Sequence, residues 1–238
     1  MTDAPAAATA AAAGPPLGYG DLPRLIGLMT GDEKHASSAD STLDVLWVLY
    51  DRVLNVSPAT VDDPDRDRFL LSKGHGPIAY YAVLAAKGFI RLDALRTFGA
   101  YDSLLGYHPD RELIPGVEIS SGSLGHGLPI GVGVALGLRA QRLRSRVVVL
   151  VGDAEFEEGS NHEAVALAGR LAVEHLTAVV VDNRSSTHGW PGGIAARFEI
   201  EGWASATVDG RDHRALDAAL SAEHDRPNVV IAVVEPGA

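Results

Sequence analysis

The chain has 238 residues, 46% of them hydrophobic and 21% charged, which is ample apolar material for the core of one α/β domain. Lys and Arg number 20 against 31 Asp and Glu, and the net charge of −11 disfavours nucleic acid or an anionic membrane surface as partner. Cysteine is absent, which excludes disulfides, thiolate zinc sites and a cysteine nucleophile. A phosphate ligand remains compatible with this charge, because such sites are built from backbone N–H groups and a metal.

Through Pro16 the sequence is mostly alanine, with threonine and proline, and lacks the basic start and apolar centre of a secretory signal. Residues 1–18 are expected to form a disordered tail ahead of one domain, 19–238, in a cytoplasmic protein. The most apolar runs, Leu128 to Leu138 and Val147 to Val151, are far shorter than the ~18 residues of a membrane span. Leu43, Leu46, Trp47, Tyr50 and Leu54 recur at helical spacing, and Ser41 with Asp44 suggests a capping box at the start of that helix. Phe69 to Leu71 reads as a short strand running into Lys73-Gly74-His75-Gly76. Pro77 then opens a helix that Gly88 ends.

The second half alternates more clearly. Val147 to Val151 and Thr177 to Val181 are uninterrupted aliphatic strands, with a helix from Asn161 to Ala172 between them. A strand at Ala206 to Val208, a helix from about Asp212 to Ser221 and a strand at Val229 to Val234 follow. Uninterrupted apolar strands separated by helices define the α/β class, a parallel sheet with helices on both faces. Gly125, Gly127 and Gly131 have the wrong spacing for a dinucleotide fingerprint, and close helix packing accounts better for Gly131, Gly133 and Gly137.

The two aliphatic strands end alike, in Gly152-Asp153 and in Asp182-Asn183. Asp153 and Asn183 are 30 residues apart, about one βαβ unit, so a right-handed crossover delivers both to the same carboxyl edge of the sheet, where ligands bind in open α/β folds. A carboxylate beside an amide oxygen favours a hard cation, Mg²⁺ or Ca²⁺, and Mg²⁺ completes its octahedron with water and phosphate. The bland alternative is that Asp153 caps the following helix and Asn183 sits in a turn.

The segment Gly152-Asp153-Ala154-Glu155-Phe156-Glu157-Glu158-Gly159, followed by Val181-Asp182-Asn183-Arg184, resembles the thiamine-diphosphate motif. Further segments resemble the N-terminal, diphosphate-binding half of the transketolase family. They are Arg68 to Gly76, Tyr107-His108-Pro109-Asp110, Pro115-Gly116-Val117-Glu118, Ser121 to Gly127, and Lys34-His35 ahead of Ser41-Thr42-Leu43-Asp44. The resemblance implies the thiamine-diphosphate-binding fold. It implies that Asp153, Asn183 and the carbonyl of Ser185 bind Mg²⁺, that Gly152 and Ala154 approach the diphosphate, and that Gly122 and Leu124 contact the aminopyrimidine or thiazolium. It also implies that His35, His75 and His108 face the reacting carbon and the donor sugar, and that Glu158 and Glu163 lie near the contact between paired active sites. Imidazole suits proton transfer at hydroxyls near pH 7, because its pKa lies close by.

In this family a carboxylate from a separate pyrimidine-binding domain completes the site. The resemblance therefore implies one chain of a split, hetero-oligomeric (α₂β₂) transketolase, moving a two-carbon ketol unit between sugar phosphates or related small molecules. A non-catalytic scaffold protein, or a component of a related synthase or decarboxylase, stays open as an alternative. Departures from the pattern are Ala154 for Gly, His126 for Gln, Arg211 for His, the loop from His188 to Pro191, and the absence of a C-terminal Lys-Gly-x-Gly segment.

Overall fold

The computed structural model describes residues 17–30 and 36–234. The alanine-rich tail through Pro16 and the candidate His35 lie outside the described residues. Five strands form one parallel sheet in the order β1-β2-β3-β5-β4: β1 (Arg68–Leu71), β2 (Val147–Gly152), β3 (Leu176–Asp182), β4 (Ala204–Asp209) and β5 (Asn228–Val233). The helices are α1 (Leu22–Ile26), α2 (Ala36–Val48), α3 (Ile78–Ala86), α4 (Gly127–Ala140), α5 (Gly159–Arg170), α6 (Gly193–Glu199) and α7 (His213–Ser221).

Alternation along the strands divides the core in two. Phe69, Leu71, Val148, Leu150, Val179, Val181, Val230 and Ala232 face one layer, with α1, α2, α3 and α7. Leu70, Val147, Val149, Val151, Ala178, Val180, Val229 and Ile231 face the other, with α4, α5 and Phe198 of α6. Strands buried on both faces must be apolar throughout, which is why β2 reads Val-Val-Val-Leu-Val. β4, at the sheet edge, alternates between half-buried and exposed residues, and its weaker sequence pattern follows from that position.

Two expectations are corrected. The helix carrying Ser41 begins at Ala36, so Ser41 and Asp44 lie inside it rather than at its start. The Ser41 hydroxyl accepts from Lys73 Nζ (2.9 Å), and Asp44 accepts from Tyr19 (2.6 Å) and Arg211 (2.7 Å) and pairs with His213 (2.7 Å). These partners come from other segments, so neither residue caps a helix. Of Gly131, Gly133 and Gly137, only Gly131 is explained by close packing. A Cβ there would lie 2.4 Å from Val149 of β2, whereas Gly133 and Gly137 face open space.

Arg211, where the resemblance predicts His, bridges Asp40 (2.6 Å) and Asp44, and so ties the start of α7 to α2. Burial works to raise the Asp44 carboxyl, but the donors from Tyr19, Arg211 and His213 hold it below the usual carboxylate range.

Candidate active site

β2 and β3 pair with Gly152 opposite Val181, so the chain leaves both strands at the same carboxyl edge with Asp153 and Asn183 at adjacent exits. Asp153 is 1% exposed. Its two oxygens accept from the Ser185 hydroxyl (2.5 Å) and the Ser186 N–H (3.0 Å), which fold the segment after β3 onto the end of β2. Glu157 secures the same segment, accepting from the Ser186 hydroxyl and the His188 N–H (both 3.0 Å). Arg184, at φ 57°, makes the left-handed turn that reverses the chain there. The Asn183 side-chain oxygen is buried without a hydrogen-bond partner. A buried amide oxygen left unpaired costs about 1–3 kcal/mol, and a cation beside Asp153 would satisfy it.

The resemblance assigns the main-chain carbonyl of Ser185 to a metal; in the structure the hydroxyl of this residue binds Asp153. Ala154, which departs from the glycine of the motif, lies in a short 3₁₀ turn, Asp153–Glu157. It has no positive φ, so its backbone conformation makes no demand for glycine.

Three further loops close around this edge with almost no room between them. β1 runs into Ser72-Lys73-Gly74-His75, and a Cβ on Gly74 would lie 2.5 Å from Ser121 Oγ and 2.8 Å from the Gly122 nitrogen. Gly122, at φ 130°, passes so close to His108 that a Cβ would come within 2.7 Å of the ring. His75 and His108 meet edge to face with ring centroids 5.2 Å apart. Two of the three candidate histidines are thus brought together beside Gly122, with Leu124 half-buried on the same loop.

Two charged residues at the centre of this arrangement escape the sequence reading. The stem of Lys73 lies along Gly152, within 3.2 Å of where a Cβ would stand. Burial pushes its pKa down to about 8, against the upward pull of Asp153 and Glu155. Glu155 is 1% exposed and accepts from the Ser72 hydroxyl (2.7 Å), the Gly125 N–H (3.1 Å) and the Gly152 N–H (3.0 Å). Burial raises the Glu155 pKa, outweighing those donors and Lys73. Glu155 stands third in a turn entered from a strand, the position from which a carboxylate reaches back to the preceding N–H. That spacing is a signal available in the sequence.

Glu158 packs its Cβ against Gly125, and Glu163 lines an apolar groove between α4 and α5 with Val132, Leu136 and Leu167. A larger cleft, about 630 Å³, opens at the opposite, amino edge of the sheet. Two of its acids are engaged by neighbours, Asp67 with Arg146 at 2.7 Å and Glu174 with His175 at 3.3 Å.

A parallel sheet with helices on both faces, and with an acidic and an amide side chain at adjacent strand exits beside glycine turns and paired histidines, places the chain among the open α/β folds, whose ligands bind at the carboxyl edge. Residues 29–235 match the family described as transketolase, thiamine diphosphate binding domain. The chain belongs to the transketolase family and corresponds to its N-terminal, diphosphate-binding part. It is 60% identical over 218 residues to a protein named ferredoxin fas2 from Rhodococcoides fascians, covering 91% of this chain and 72% of that one. It is 35% identical over 212 residues to one of the subunits of an apulose-4-phosphate transketolase from Actinobacillus succinogenes, covering 86% and 77%. Among solved structures, transketolase from Leishmania mexicana superposes with a TM-score of 0.74 at 25% identity. That match covers 91% of this chain and 36% of the other, so the chain spans about a third of such a transketolase.

Proposed function

We propose that this chain is the diphosphate-binding subunit of a thiamine-diphosphate- and Mg²⁺-dependent transketolase-like enzyme, completed by a separate pyrimidine-domain subunit in an α₂β₂ assembly in the cytoplasm. The observation that carries the reading is the buried, unpartnered Asn183 oxygen at the strand exit next to buried Asp153. Among the described residues no three His, Asp or Glu side chains converge as a metal site. A cation held by Asp153 and Asn183 would therefore take its remaining oxygens from main chain (the Ser185 carbonyl in this reading), water and phosphate, the habit of Mg²⁺.

Thiamine diphosphate, when bound, supplies the nucleophilic carbon and the electron sink for moving a two-carbon unit. The protein's part is to position and to transfer protons. Gly152 and Ala154 bring main chain to the diphosphate, and Lys73 adds a cation beside it. Gly122 and Leu124 contact the rings. His75 and His108, with His35, exchange protons at substrate hydroxyls, where neutral imidazole is effective near pH 7.

The Actinobacillus relative is named as part of a multi-subunit transketolase for a sugar phosphate, which supports both the divided active site and a phosphorylated small-molecule substrate. The iron–sulfur chemistry in the name of the Rhodococcoides relative is not carried over, since this chain has no cysteine to ligate a cluster. The test is reconstitution. The chain combined with a separate pyrimidine-domain subunit should transfer a ketol unit from a ketose phosphate to an aldose only when thiamine diphosphate and Mg²⁺ are both present. Native mass spectrometry should give a 2:2 complex. Turnover by the isolated chain, or a complex that binds the cofactor without transfer to any aldehyde acceptor, would contradict the reading.

A further inference from the structure

We propose that Glu155 is the positioning residue that fixes the distance between the glycine loop at 122–127 and the end of β2, so that a single thiamine diphosphate is gripped at both ends. The inference rests on the functional reading above and assigns a role to a residue outside the motif's ligand set.

One carboxylate collects donors from three separate segments. Oε1 accepts from the Ser72 hydroxyl after β1 and from the Gly125 N–H in the glycine loop, and Oε2 accepts from the Gly152 N–H at the end of β2. The Ser72 oxygen in turn accepts from the Gly127 N–H at 3.1 Å, so a second peptide of the glycine loop hangs on the same group. Glu155 is itself anchored, since its main-chain carbonyl accepts from Asn161 Nδ2 at 2.7 Å. The segments are held too close for side chains to space them. A Cβ on Gly127 would stand 2.3 Å from Ser72 Cβ, and one on Gly125 would stand 2.6 Å from Glu158 Cβ. Hydrogen bonds to Glu155, rather than side-chain volume, therefore set the separation.

In the proposed site the glycine loop touches the rings of the cofactor, whereas the β2 and β3 ends hold the diphosphate and metal. A residue joining these regions matters most to a ligand that spans both. Inorganic pyrophosphate uses only the second region.

The discriminating experiment is calorimetry on the full chain in its purified assembly, comparing Mg²⁺–thiamine diphosphate with Mg²⁺–pyrophosphate. In Glu155→Gln the amide has one acceptor oxygen, so a peptide N–H at Gly125 or Gly152 faces an NH₂ group. Leaving such a buried donor unmet is expected to weaken thiamine diphosphate about tenfold. Pyrophosphate binding should change less than about threefold on the same scale. Ser72→Ala, which removes one donor to Glu155 and the acceptor of Gly127, should produce the same split to a smaller degree. If Glu155→Gln does not fold, the split in Ser72→Ala decides. Equal weakening of both ligands would make Glu155 a merely structural residue, and no weakening of either would remove its role; both results overturn the proposal. An unmodified protein that binds neither ligand overturns the functional reading itself, and the proposal with it.

Discussion

Gly122→Ala probes a close contact in the candidate site, between the glycine loop and His108. At φ 130° an alanine is forced into a region that L residues avoid, at a cost of about 1–3 kcal/mol. The new Cβ would also lie 2.7 Å from Cδ2 and 2.9 Å from Cγ of His108, well inside van der Waals contact. His108 is exposed, so its ring can swing outward more easily than the loop can retreat against Ser121 and Gly74. The expected loss of stability is therefore the backbone cost alone, ~2 kcal/mol, which for a domain of this size lowers Tm by roughly 4–8 °C. His108 would leave its edge contact with His75, and proton transfer would fail more severely than folding does. Differential scanning calorimetry and turnover of the reconstituted enzyme measure the two effects. Unchanged Tm with full turnover would refute the reading of this loop as a glycine-only contact against a catalytic histidine.

Lys73→Met should weaken Mg²⁺–pyrophosphate binding and alter its pH dependence. In the unmodified protein the cation is lost as pH rises through about 8, so affinity should fall above that pH, and the variant, with no charge to lose, should lack this limb. The same shift has a stability sign. The folded pKa, about 8, lies below the ordinary 10.5, so between these values the unfolded chain keeps a proton that the folded one has released, and stability rises with pH. Thermal melts from pH 7 to 10.5 should show that rise in the unmodified protein and not in Lys73→Met. Asp212→Ala removes a carboxylate that accepts from the Arg214 N–H (2.8 Å) and the Ala215 N–H (3.1 Å) at the start of α7. It should cost about 1 kcal/mol in denaturant titrations and leave pyrophosphate binding unchanged.

Much of this architecture is legible in the sequence because buried parallel strands admit only aliphatic residues. Val147–Val151 and Thr177–Val181 declare both their conformation and their burial, and the polar residues that terminate them mark the ligand edge. The first long helix is harder to delimit. From Ser41 to Tyr50 it is buried on all sides, so the amphipathic boundary that usually reveals a helix start is missing. Ser41 and Asp44 resemble a cap in isolation, but Lys73, Arg211 and His213, distant in the chain, claim them.

In the site, strand ends and glycine turns are visible as local patterns. Two of the three partners of Glu155 are not, because they lie 30 and 83 residues away and converge only through the sheet. Lys73 is similarly hidden. Its neighbours Gly74 and His75 mark the loop, but the lowered pKa arises from burial that no short window of sequence contains.

The central claim is that Asp153 and Asn183 jointly hold a divalent cation against a diphosphate. Electron paramagnetic resonance of Mn²⁺, substituted for Mg²⁺ and titrated into the full chain with thiamine diphosphate, observes that cation directly. The bound-manganese signal should appear only when thiamine diphosphate is present, and Asp153→Ala or Asn183→Ala should each abolish it. An undiminished signal in either variant would contradict the account.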